Sequence, residues 1–196
     1  QGESLEFSLL SIFSFLSFFT FFVIQKLSNK LLGGSLFDND FEKPQAFHRN
    51  ETPRSGGLAS IISFFIFVLL NNLLFSTLYL DYLVLGLGLF LIGFLDDIKI
   101  RFSPKARLIL MTFFLLMFVK IFSIQINQID LIFLNKLLSL KIIYIFFIVL
   151  CFLFIINGSN LIDGFNGLLA FQLIIINSLL LYINIENEFQ SLSILI

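Results

Sequence analysis

The sequence predicts an all-α polytopic integral membrane protein, and three observations carry that reading. Hydrophobic residues make up 58% of the 196-residue chain and charged residues only 13%, with a mean hydropathy of +1.01. A soluble domain is about 25% charged, so this chain cannot clothe a water-facing globule. A soluble enzyme, a disordered tail and a nucleic-acid-binding module are thereby excluded. The apolar residues are also gathered in runs close to the roughly 20 residues needed to cross a bilayer. In lipid every backbone polar group must be satisfied within the protein, which helices achieve alone.

Six runs qualify, at about 5–24, 57–75, 77–95, 107–126, 141–157 and 167–185. The first carries Glu3 and Glu6 at its start, with no basic residue before it and no small-residue cleavage site after it, so it reads as a spanning helix and not a signal peptide. Asp81 near the start of the third and Lys120 inside the fourth are tolerable near an interface, where a Lys stem snorkels. The fifth run needs Lys141 and Asn157 as its ends to reach spanning length. Between the fourth and fifth, 126–140 mixes apolar residues with Asn127, Gln128, Asp130, Asn135 and Lys136, and is expected to form a structured outward connection such as a short hairpin. No repeat and no separate soluble domain is visible.

The placement of basic residues sets the orientation. The first connection holds Lys26, Lys30, Lys43, Arg49 and Arg54, and the third holds Lys99, Arg101, Lys105 and Arg107. These are nine of the twelve basic residues, so connections one, three and five are expected in the cytoplasm and the N-terminus outside. The fifth connection, 157–166, has no basic residue, and alternation alone assigns its side. Cys151 is the single cysteine and cannot form an internal disulfide. The abundance of Phe (29 residues) beside the absence of Trp suggests AT-rich coding and a bacterial source.

The same three connections collect the chemically capable residues. The first contains His48-Arg49-Asn50-Glu51-Thr52-Pro53-Arg54-Ser55-Gly56-Gly57, where Pro53 stiffens the chain and Arg54 offers a planar fork suited to phosphate. Read blandly, it is a basic loop held near anionic headgroups. His48 is the sole histidine, so a zinc cluster is not available. The second connection opens on Asp96-Asp97 and continues to Ser103-Pro104-Lys105-Ala106-Arg107. Adjacent carboxylates oppose each other's ionisation, and they carry the wrong sign for the C-terminal end of a helix dipole. A divalent cation such as Mg²⁺ removes the conflict; a base of raised pKa is the alternative. Gly86, Gly88 and Gly93 are read as helix-packing positions. The third connection has Asn157, Asn160 and Asp163 three apart, one face of a helical turn, followed by Asn166 after Gly164.

Taken in order, these motifs resemble the polyprenyl-phosphate N-acetylhexosamine-1-phosphate transferase superfamily. The resemblance rests on His48 with Thr52-Pro53-Arg54-Ser55-Gly56-Gly57, on Gly93-Phe94-Leu95-Asp96-Asp97 with Ser103-Pro104-Lys105-Ala106-Arg107, and on Asn157 with Asn160-Leu161-Ile162-Asp163-Gly164-Phe165-Asn166-Gly167-Leu168. It implies transfer of a sugar-1-phosphate from a UDP-sugar to undecaprenyl phosphate at the bacterial inner membrane, with Mg²⁺ (or Mn²⁺) and release of UMP. By the resemblance, Asp96 or Asp97 assists the lipid phosphate near the metal, Asp97 and Asp163 are the metal ligands, and Asn157 and Asn160 organise the nucleotide side. Lys105 and Arg107 contact phosphate, while Arg54, His48 and the glycine turn shape the first loop. A second copy of the chain, as a homodimer, is the one protein partner allowed for.

Two departures bear on roles. Asn166 stands where many members have a second Asp, so only a binding role carries over there. Glu51 stands where Pro often precedes Thr-Pro-Arg. Thr52-Pro53-Arg54 and Asp163-Gly164-Phe165-Asn166-Gly167 look more like the branch priming O-antigen or capsule than the branch acting on UDP-MurNAc-pentapeptide, which remains the alternative substrate reading. The family's later Gly-Asp-x-Gly-Ser and His/Arg-rich motifs do not occur in these residues, so the chain is expected to be an N-terminal portion, inactive alone. A transporter or channel subunit is the rival class, although it would place polar residues near mid-membrane. A CDP-alcohol phosphatidyltransferase is disfavoured because no Arg follows Asp163-Gly164 at the spacing of its signature.

Overall fold

The computed structural model describes residues 2–28, 30, 37–38, 52–53, 55–76, 78–97, 103–124, 132–162 and 167–186. Among them are seven helices: α1 (Gly2–Leu27), α2 (Gly56–Phe75), α3 (Leu80–Asp97), α4 (Pro104–Phe122), α5 (Ile132–Leu138), α6 (Lys141–Ile162) and α7 (Leu168–Glu186). Two two-residue strands, β1 (Phe37–Asp38) and β2 (Thr52–Pro53), pair antiparallel with Phe37 opposite Pro53 and Asp38 opposite Thr52. The ladder closes the first connection on itself and leaves the chain an all-α membrane protein.

Local chemistry explains where the helices start and stop. Ser76 takes the left-handed conformation (φ 54°) and returns its N–H to Asn72 O, ending α2. The next helix therefore begins at Leu80, later than the expected 77. Ser103 caps α4, its hydroxyl accepting from Ala106 N at 3.2 Å, and Pro104 fills the first turn, where its missing N–H costs nothing. That helix starts before the expected 107 and stops at Phe122, because Ser123 is again left-handed (φ 50°). The connection expected to form a short hairpin is helical where it is described: 132–138 is a seven-residue helix.

Side-chain contacts run in opposite directions along α1–α2, α2–α3 and α4–α6, and the six residues between Asp97 and Pro104 are too few to join α3 to α4 unless those two are also antiparallel about the Gly88–Phe114 contact. Phe13 meets Phe67 (centroids 4.9 Å), while further along α1, Ser17 meets Ser63 further back in α2. Gly86 lies by Ile61 and Gly57 by Phe90. The core forms where α3, α4 and α6 meet: Leu115, Phe118 and Val119 of α4 with Ile148 and Val149 of α6 are buried, with Val84, Leu85 and Leu89 of α3 packed on them. At Gly88 the α3 backbone lies against the Phe114 ring, and an added Cβ would overlap it. Gly86 has only ordinary contact at 3.5 Å, and Gly93 has no neighbour within 4 Å among the described residues, so close packing belongs to Gly88 alone of the three.

Outward faces are apolar. Gly56–Leu74 and Lys141–Ile162 are long and apolar enough to cross a membrane, yet only 17% and 11% of their apolar windows are buried, unlike core helices of a soluble protein. Shorter apolar stretches lie at Ser11–Leu27, Leu80–Leu95 and Leu168–Asn184. Such surfaces are stable against hydrocarbon and not against water.

Candidate functional site

The antiparallel order brings the C-terminal ends of α1, α3 and α6 and the N-terminal ends of α2 and α4 to one end of the bundle. Leu168 of α7 follows Ile162 of α6 by six residues, so α7 also starts from there. All three polar connections therefore open at this end.

Register refines the placement. Nine residues on from the Gly88–Phe114 contact along α3 lies Asp97, and nine residues back along α4 lies Lys105. At about 1.5 Å rise per residue, and with the contact made by the far edge of the Phe114 ring, the two backbone positions stand within about one turn of each other along the bundle. The α4–α6 register, fixed by the Phe118–Phe152 edge contact (centroids 6.5 Å), sets Asn157 opposite Phe113 and Asn160 opposite Leu110. Asn157 thus lies a little over two turns deeper than Lys105, at about 3.6 residues per turn, and α6 rises from it through Asn160 toward the level of Lys105.

Each residue can now be placed. Asp96 and Asp97 form the last residues of α3; their side chains lie outside the described residues. Lys105 is exposed in the first turn of α4, and Arg107 is half-buried with a partner already engaged. Positions two apart on a helix point in nearly opposite directions, so Lys105 and Arg107 leave α4 on different sides. Asn157 and Asn160 are exposed and share a face. The helix does not end at 157: it continues through Gly158 and Ser159 to Ile162, which makes the expected face-sharing of the two amides real. Asn157 Nδ2 donates to Leu153 O at 2.8 Å, which fixes the side chain and leaves Oδ1 without a partner among the described residues. His48, Arg54, Asp163 and Asn166 lie outside the described residues.

Both charged pairs oppose the dipoles of their own helices: carboxylates at the C-terminus of α3, cations at the N-terminus of α4. A helix start bearing Lys and Arg suits an anion, and a helix end bearing two carboxylates suits a cation. A phosphate chelating a divalent ion satisfies both at once. Ser103 is the positioning residue that the motif alone did not single out; the Ser-Pro pair was its signal. Among the described residues no three His, Cys, Asp or Glu side chains gather as a metal cluster.

Helical bundle and apolar outer faces together define a polytopic all-α membrane protein whose polar connections leave the helices at one end. Residues 79–196 match the family model of Glycosyl transferase family 4. The match takes in more than half of the chain, and the chain belongs to that family of polyprenyl-phosphate sugar-phosphate transferases. It includes the Asp96-Asp97 and Asn157–Asn166 motifs and leaves the His48–Gly57 motif outside. No match was found among curated proteins or among solved structures.

Proposed function

We propose that the chain belongs to an enzyme that transfers a sugar-1-phosphate, N-acetylhexosamine-1-phosphate by preference, from a UDP-sugar to undecaprenyl phosphate, releasing UMP and initiating a cell-envelope glycan. The observation that carries this is the closeness in level of Asp97 at the end of α3 and Lys105 at the start of α4, at the bundle end where α6 presents Asn157 and Asn160. The site residues, the use of Mg²⁺ and the cytoplasmic side of the inner membrane belong to the same proposal.

A lipid phosphate oxygen forms a bond to the phosphorus bearing the sugar, and the bond from that phosphorus to the UMP oxygen breaks. The protein's task is positioning and charge neutralisation. Lys105 and Arg107, with the start of α4, hold phosphate oxygens. Asn157 and Asn160 hold the nucleotide side through amide hydrogen bonds, with Asn166 beyond them and Arg54 and His48 closing the site from the first connection. Asp97 and Asp163 supply the hard oxygen donors that Mg²⁺ prefers, and Asp96 orients the acceptor phosphate. When bound, Mg²⁺ would neutralise the donor's pyrophosphate and the negative charge that develops on the departing UMP oxygen.

The test is UMP release by membranes carrying the complete gene product, given undecaprenyl phosphate with UDP-N-acetylhexosamine or UDP-MurNAc-pentapeptide. Release with the first donor, abolished by EDTA and restored by Mg²⁺, is expected. Release with the pentapeptide donor alone would move the chain to the peptidoglycan branch. Release with neither, in membranes where the protein is folded, would remove the proposal.

A further inference from the structure

Nine of the twelve basic residues belong to the first and third connections or the helix turns beside them, and the remaining three are Lys120, Lys136 and Lys141. All three fall at the end of the bundle opposite those connections: Lys120 in the last turn of α4, Lys136 in α5 and Lys141 at the start of α6. Tyr144 Oη of α6 donates to Ile124 O just beyond α4, at 3.5 Å, and ties these elements together. The three lysines are exposed and make no ion pair among the described residues.

α5 has a mixed outer face. Ile132 is 88% exposed and Phe133 77%, and Leu137 shares their side of the helix, while Leu134 and Leu138 on the other side are half-buried. At 100° per residue, Lys136 falls between Ile132 and Phe133 on that outer face. Three large apolar side chains disfavour bulk water, and a lysine among them disfavours hydrocarbon. Only the boundary between the two satisfies both, with the Lys stem along apolar surface and its ammonium at headgroup level.

We propose that α5 is an interfacial foot: Ile132, Phe133 and Leu137 enter the acyl layer, and Lys136 and Lys141, with Lys120 snorkelling beside them, bind the phosphates of anionic lipids. The bilayer leaflet at the end remote from the polar connections is the partner. Neither the transferase reading nor the membrane orientation is needed for this.

These 196 residues contain no Trp, so in a protein of these residues Phe133→Trp gives a single tryptophan reporter, placed on α5. The variant is reconstituted in phosphatidylcholine–phosphatidylglycerol vesicles in which one lipid is brominated on its acyl chains near the headgroup. The expected result is blue-shifted emission, quenching by brominated lipid but not by acrylamide, and stronger quenching by brominated phosphatidylglycerol than by phosphatidylcholine at equal mole fraction. The second change Lys136→Gln/Lys141→Gln is expected to lower that enrichment about five-fold per lysine, the factor equivalent to about 1 kcal/mol each. Acrylamide quenching without lipid quenching would put α5 in water. Protection from both quenchers would mean that protein covers it, a second copy included. Equal quenching by the two lipids would remove the phosphate contact. Each of these three overturns the proposal.

Discussion

The Gly88–Phe114 contact fixes the level of Asp97 against Lys105, so filling Gly88 is the most discriminating structural perturbation. An alanine Cβ there would overlap the Phe114 ring, which is half-buried and stacked near Phe118 (centroids 6.3 Å). Either the ring swings out of that stack or α3 and α4 part. Overpacking of this kind costs about 1–3 kcal/mol, against a gain of up to about 1 kcal/mol from replacing Gly with Ala inside a helix. The ring tip can yield more readily than backbone, so a net loss of roughly 1 kcal/mol is expected. Gly86 supplies the control: its neighbour at 3.5 Å is in ordinary contact, and Gly86→Ala should be neutral or stabilising. Equilibrium unfolding in mixed detergent–SDS micelles measures both, and Phe114→Leu should recover most of the Gly88→Ala loss through a coupling of that size. If Gly88→Ala proved as stable as Gly86→Ala, with no coupling to Phe114, the α3–α4 register would be wrong. The closeness in level of Asp97 and Lys105 would fall with it.

Three further outcomes follow from particular contacts. Ser63→Ala should cost about 0.6 kcal/mol in the same assay by removing the 2.8 Å hydrogen bond between α2 and Ser17 of α1, and Ser17→Ala should cost no more on top of it. Ser103→Ala removes the α4 cap and should lower stability by about 1 kcal/mol, with the turnover loss larger than that of an equally destabilising change remote from the polar end. Asn157→Ala and Asn160→Ala, at exposed positions, should leave thermal stability nearly unchanged and raise KM for the UDP-sugar about ten-fold each, the worth of one good hydrogen bond. An unaltered KM would reduce Asn157 to its bond with Leu153.

The all-α membrane class was legible because composition and run length report the solvent directly. Helix ends were less so, since hydropathy is blind to capping. Ser76 and Ser123 stop their helices through backbone conformation that no apolar count registers. At α6 the polar Asn157-Gly158-Ser159-Asn160 looked like the end of a span, yet nothing there prevents helix continuation, and the Asn157 amide bonds back to its own helix. Of the three glycines in α3, only the one whose neighbour is a phenyl ring is needed for packing, and that depends on a residue 26 positions away in sequence. The polar motifs were visible as residue types out of place in apolar surroundings. Their meeting at one end required the antiparallel order of the helices, and the level of Asp97 relative to Lys105 required a contact between α3 and α4.

The central claim is that the polar end of the bundle is a phosphotransfer site built around Asp97 and Asp163. The most direct measurement is the rate of UMP release at saturating Mg²⁺ by Asp97→Asn and Asp163→Asn proteins, each isosteric and each verified as folded. Loss of groups that stabilise charge only in the transition state lowers the rate by about a hundred-fold or more, and that fall is expected for both. Near-normal turnover in both variants would contradict the site.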